Sequence, residues 1–223
     1  MSSPRLLRVV RTHPSAGLLA AQLVAVLAYP FLDHTVVGRA VLGVVNMVVV
    51  LAAVLAVRRT PVFGWVILVL GLPALVLTVL EETLPDHDTV VLLSALLHAP
   101  FYLYVSYAMV RYLYEDDRVT RDELFATGAA FTVVAWAFAY VFAAVQVVWP
   151  GSFAGASGND LPWFDLLFLS FTNLTSVGLS DVLPVLDHAR SVVMVQQVVG
   201  VLYIALVVSR LVGLTVARAR SVP

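Results

Sequence analysis

Trp163-Phe164-Asp165-Leu166-Leu167-Phe168-Leu169-Ser170-Phe171-Thr172-Asn173-Leu174-Thr175-Ser176-Val177-Gly178-Leu179-Ser180-Asp181 is a short apolar run that turns polar at its end. The run from Trp163 to Thr175 carries a helix start signal. Asn159 or Asp160 serves as N-cap, Pro162 falls in the first turn and Asp165 sits near the positive helix end. At about 1.5 Å per residue such a helix covers roughly 20 Å, against about 30 Å for a bilayer core. It enters a membrane without crossing it. Its backbone must then return, and irregular backbone at membrane depth survives only against protein or a water-filled cavity. The returning residues, Ser176 to Pro184, offer hydroxyls, a glycine and a carboxylate. That set suits a pore lining, where carbonyl oxygens replace a cation's hydration shell and an acidic mouth gathers cations.

The rest of the chain supplies the membrane context. Of 223 residues, 61% are hydrophobic and 12% charged, against roughly 45–50% and 25% in soluble proteins. A mean hydropathy of +0.96 leaves too little polar surface to clothe a soluble domain. Intrinsic disorder needs the opposite composition. The absence of cysteine excludes disulfides and thiolate metal sites. A net charge of −1 argues against nucleic acid as a partner. The basic residues are all Arg, the usage of a GC-rich bacterial genome.

Measured against the bilayer, six segments have spanning length: Pro14–Leu32, Thr35–Val57, Pro61–Leu80, Thr89–Leu113, Leu124–Val148 and Ala189–Ala217. Only helices satisfy their own backbone in lipid, so the expected class is an all-α integral membrane protein. It has six transmembrane helices, with the half-length pore helix and its return between the fifth and sixth. Arginine placement orients it. With the N-terminus inside, Arg5, Arg8, Arg11, Arg58, Arg59, Arg111, Arg118, Arg121, Arg218 and Arg220 are cytoplasmic, and only Arg39 and Arg190 face out. Both termini are expected in the cytoplasm of a multi-pass cell-membrane protein. Arg5, Arg8 and Arg11 before an apolar run resemble a secretory signal, but no Ala-x-Ala-like site closes the run, so a first membrane helix is expected. The chain divides into a four-helix bundle (1–114), a charged connector (115–123) and a pore module (124–217). Within that module the pore helix covers about 162–175, the filter 176–181 and the inner helix about 189–217. Six residues after Ala217 leave no room for a soluble cytoplasmic domain.

Thr175-Ser176-Val177-Gly178-Leu179-Ser180-Asp181 resembles the Thr-Thr-Val-Gly-Tyr-Gly-Asp signature of the potassium channel superfamily. Trp163-Phe164-Asp165 with its apolar half-helix is similar to that family's pore helix, and Asp181-Val182-Leu183-Pro184 to its Asp-Ile-x-Pro exit. Ala189-Arg190-Ser191 and the run from Val199 to Gly213 resemble the inner helix of bacterial members. The resemblance covers about 124–217. It implies a homotetramer in membrane lipid, passive potassium conduction and no cofactor beyond permeant K⁺. The K⁺ ligands it implies are the carbonyls of Ser176, Val177, Gly178 and Leu179 with the Ser176 hydroxyl. Ser180 completes the filter, Thr175 and Asp181 form its support and mouth, and Gly200 is the gating hinge. Two residues depart from the pattern: Leu179 replaces an aromatic and Ser180 a glycine. A left-handed backbone at Ser180 would carry a Cβ at about 1–2 kcal/mol, so weakened K⁺ over Na⁺ selectivity is expected.

Other features carry alternative readings. His98 is an ionisable group within a span and so a functional candidate, though a neutral imidazole bonded to a neighbouring helix also accounts for it. Gly200 fits close helix packing as well as a hinge. Arg210 snorkels to the inner interface. Glu81, Glu82, Asp86 and Asp88 read as a solvated outer loop. From Thr89 to Val110 there is no Arg, whereas a voltage sensor carries about three or four. A non-conducting membrane subunit is one alternative function. A remote one is a serine hydrolase built on Gly178-Leu179-Ser180 and His188.

Overall fold

Proline sets the shape of the first helices. The computed structural model describes residues 14–56, 64–83, 87–113, 121–156, 158 and 161–220. Helix α1 (Pro14–Leu32) begins on a proline, whose fixed φ suits the first helical position. The Ser15 amide and hydroxyl both donate to the Asp122 carboxylate, at 3.0 and 2.9 Å. That carboxylate thus caps a helix start, where negative charge is favoured. Helix α2 (Val36–Ala56) follows after a short turn and packs against α1. The third apolar segment is not one regular helix. A turn, α3 (Gly64–Val66), passes through a π-helical stretch (Ile67–Gly71) into α4 (Leu72–Thr83). Pro73 explains the widening: it lacks an N–H, and its ring would strike the Val69 carbonyl in an ordinary α-helix.

Among the described residues helix α5 (Asp88–Leu113) and helix α6 (Arg121–Val148) form the most extensive pair. Alanine is the reason. Ala126, Ala129, Ala130, Ala135, Ala137 and Ala139 are all buried on α6, and small side chains let neighbouring backbones close in. Helix α6 packs against α1 and α5, then against α7 (Trp163–Leu174) and α8 (Asp187–Arg220). It is the axis on which the N-terminal helices and the C-terminal segment meet. A two-residue ribbon, β1 (Phe153–Ala154) with β2 (Leu183–Pro184), ties the loop before α7 to the chain after it.

The class is all-α, as the composition required. Among the described residues four helices are long and apolar enough to span: Ser15–Leu32, Asp88–Arg111, Leu124–Val148 and Asp187–Arg210. Val36–Val45 and Val69–Glu81 are shorter apolar stretches. Some expectations fall outside the described residues: Arg5, Arg8, Arg11, Arg58, Arg59, Arg118, Asp86 and the connector 115–120.

Candidate functional site

Helix α7 is twelve residues long and lies between α6 and α8. Pro162 is its N-cap, extended at φ −62° and ψ 153° without a side-chain capping bond. This corrects two expectations, that Asn159 or Asp160 is the N-cap and that Pro162 falls within the first turn. The approach to α7 is held from α6 instead. The Gln146 side chain donates from Nε2 to the Leu161 carbonyl (3.0 Å) and accepts the Leu161 N–H at Oε1 (3.1 Å). One amide thereby satisfies both backbone groups of a buried residue, as a neighbouring strand would.

The far end of α7 closes as a Schellman motif. Thr175 is the C-cap. The Ser176 N–H bonds to the Asn173 carbonyl (3.0 Å), and the Val177 and Gly178 N–H groups both bond to the Thr172 carbonyl, at 3.1 and 3.0 Å. The motif needs a left-handed residue after the cap, usually glycine. Here it is Ser176, at φ 61°. Gly178 is also left-handed, at φ 68°.

Ser180 is not left-handed: among described residues Ser176 is the one non-glycine with positive φ. The strain expected at Ser180 is therefore displaced four residues upstream. Ser180 has another task, since its Oγ accepts the Val182 N–H at 3.0 Å and turns the chain toward β2. Beyond that turn the ribbon pairs Ala154 with Leu183 and Phe153 with Pro184. The Ser152 carbonyl accepts the Val185 N–H at 2.8 Å. Nearby, Trp149 stacks on His188 at 4.2 Å, joining the end of α6 to the start of α8.

Between these anchors Val177 and Leu179 are exposed, 67% and 77%. Thr175, Ser176, Gly178 and Asp181 are exposed too, and Ser180 is half-buried. Leu179 is therefore largely uncovered within one chain. Helix α8 backs the site. Gln196 is fully buried and donates to both the carbonyl (3.1 Å) and the hydroxyl (2.6 Å) of Ser170, whose hydroxyl donates to the Ala135 carbonyl at 2.6 Å. Three helices are linked through one serine. Further along, Tyr203 donates to the Thr127 carbonyl at 2.6 Å. Gly200 lies between them, where a Cβ would collide with the Leu174 carbonyl oxygen. Helix α8 is continuous through Gly200.

Gln146, Ser170, Gln196 and Tyr203 escaped the sequence reading. The signal was available in part, because a glutamine inside an apolar span is costly unless bonded. The serine hydrolase pair is not assembled: Ser180 bonds to Val182 and His188 stacks on Trp149. Among the described residues no group of three or more His, Cys, Asp or Glu is gathered as a metal would need.

Compared with known families, residues 128–217 match the family model described as Ion channel. The match begins within α6 and runs through the half-helix, the return and most of α8. Over this stretch, which is less than half of the chain, the protein is similar to an ion channel family. No curated protein and no solved structure matches the chain.

Proposed function

We propose that the chain is one subunit of a homotetrameric cation channel of the cell membrane, potassium-permeable and passive. The observation that carries this reading is α7 itself. A twelve-residue helix between two longer apolar helices is followed by a short return whose backbone is exposed in a single chain. One such return cannot encircle an ion; four about an axis can. In this reading α7 and residues 175–181 are re-entrant. The carbonyls of Ser176, Val177, Gly178 and Leu179 coordinate K⁺ with help from the Ser176 hydroxyl, Asp181 lines the mouth, and α8 lines the inner pore. Gly200, already packed on Leu174, is the point at which α8 would bend. Six spans place both termini in the cytoplasm, with α2 and the α3–α4 segment completing the count.

Carbonyl oxygens and an acidic mouth favour cations over anions. Discrimination of K⁺ from Na⁺ is weakened, because Leu179 offers no hydroxyl to brace the return against α7. Mass measurement in detergent, corrected for bound detergent, tests the assembly and should give four chains. Purified protein in planar bilayers under opposing K⁺ and Na⁺ gradients tests conduction. A tetramer without current would assign a non-conducting subunit role, and a stable monomer would end the pore reading.

A further inference from the structure

His98 lies on α5, remote from residues 175–181, and is buried with 1% exposure. Every polar atom of its ring is engaged. Nδ1 lies 2.9 Å from the Ser94 carbonyl and 3.1 Å from the Ser94 hydroxyl, and Nε2 lies 3.0 Å from Thr78 Oγ1 on α4. The Ser94 hydroxyl donates to Glu81 Oε2 at 2.5 Å. Thr78 Oγ1 also sits 3.0 Å from the Ala74 carbonyl. Helix α2 holds Thr78 in place, since a Cβ at Gly43 would overlap the Thr78 methyl.

Counting hydrogens gives two satisfied arrangements. A carbonyl only accepts, so Nδ1 carries a proton toward Ser94 in both. With a neutral ring, the Thr78 hydroxyl donates to Nε2. With an added proton on Nε2, that N–H donates to Thr78 Oγ1, and the hydroxyl turns to the Ala74 carbonyl. Neither arrangement leaves a buried group unpaired, and they differ by one hydroxyl rotation. The Glu81 carboxylate, reached through Ser94, supplies the opposing charge. A histidine kept only as packing would not need both states satisfied.

We infer that His98, with Thr78, Ser94 and Glu81, is a buried proton-binding site whose occupancy is felt at the start of α7. Access and transmission both have a structural basis. Glu81 and Arg39 line a crevice of about 500 Å³ together with Asp33 and Asp88, a polar route for protons. The same Glu81 and Arg39 border an adjoining cavity of about 80 Å³ with Tyr29 from α1, Tyr102 from α5, Tyr140 from α6 and Trp163 from α7. These are the titratable and charged groups that face the site. The His98 ring stacks on Tyr140 at 4.3 Å and 8°, and Tyr140 meets Trp163 at 5.4 Å. Protonation turns the stack into a cation–π contact, tightening α5 on α6 beside the first residue of α7.

The coupling rests on the channel reading; the proton site does not, and two measurements separate them. The first is nitrogen NMR of histidine-labelled protein in lipid, with the His98 signal identified by its loss in His98→Gln. It should pass from neutral imidazole to imidazolium as the pH is lowered stepwise from neutrality. Thr78→Val, which keeps the ring but removes the acceptor for the added N–H, should move that transition to lower pH. A His98 signal that stays neutral throughout, or a transition unmoved by Thr78→Val, overturns the site. The second is potassium flux into liposomes across the same range. A change of about two- to fivefold, the size an ordinary cation–π gain supports, should vanish in His98→Gln. A pH response that is identical in His98→Gln overturns the coupling. Absence of flux at every pH overturns the channel reading and the coupling, while the NMR transition still decides the site.

Discussion

Gly200 on α8 faces the carbonyl of Leu174 so closely that no side chain fits between them. The contact joins the last residue of α7 to the middle of α8, directly below the Schellman turn. Gly200→Ala should therefore lower stability in detergent by roughly 1–3 kcal/mol, the range for overpacking. Gly213→Ala, in the same helix with nothing within 4 Å, should be neutral or gain up to about 1 kcal/mol of helix propensity. Thermal unfolding of the two variants beside the parent checks this, and equal effects would show that the Leu174 contact yields.

The left-handed residues make an opposite pair. Ser176 holds φ 61° at a cost of about 1–2 kcal/mol. Ser176→Gly should accordingly be neutral to slightly stabilising, despite the extra freedom glycine gives the unfolded chain. Gly178→Ala should destabilise by about 1–2 kcal/mol, from φ alone, because a Cβ there meets nothing within 4 Å. Denaturation midpoints compared at one detergent concentration decide between these signs.

Selectivity should follow Leu179 rather than Ser180. Ser180 is not left-handed, and its hydroxyl holds the Val182 amide. Ser180→Gly alone should leave the K⁺ to Na⁺ permeability ratio unchanged or lower it. Leu179→Tyr, which adds a hydroxyl to a side chain 77% exposed in one subunit, should raise it. Reversal potentials in mixed salts measure both. A sharp gain from Ser180→Gly by itself would restore the importance of backbone strain at that position.

Voltage should have little purchase on this chain. In the proposed six-span layout helix α5 is the fourth span, and its sequence from Thr89 to Val110 contains no Arg. Arg111, in its last turn, is the one arginine in the sequence of that helix. Steep gating requires several charges per subunit to move across the field. Conductance–voltage curves over physiological potentials should therefore be shallow. A steep curve that flattens when Arg111 is neutralised would contradict this.

The features legible in the sequence were those that depend on length and polarity. Helix α1 occupies Pro14–Leu32 as read, and α7 occupies Trp163–Leu174 within the interval assigned to a half-length helix. Apolar runs and their breaks determine such boundaries. What stayed hidden depends on which atoms meet across helices. Nothing in the order of residues says that Gln146 reaches Leu161, or that Gln196 reaches Ser170. Ser176 was hidden for a different reason. The family pattern points to Ser180 as the strained position, whereas the chain's own helix termination demands a left-handed residue directly after Thr175. His98 lay between these cases. Its burial within a span was readable, but the Thr78 hydroxyl that completes its surroundings comes from a different helix.

The ribbon between Phe153–Ala154 and Leu183–Pro184 acts at a distance. The return is moored twice, by the Thr172 carbonyl at its entrance and by Ser152 and β1 at its exit. Only the few residues between those moorings can lengthen, shorten or twist, much as a bridge deck moves only between its abutments. The position of the far abutment is set by the turn that follows Trp149, which lies outside residues 175–181. Sequence drift in that outer turn would thus retune the dimensions of the return while every residue of the return itself stayed the same.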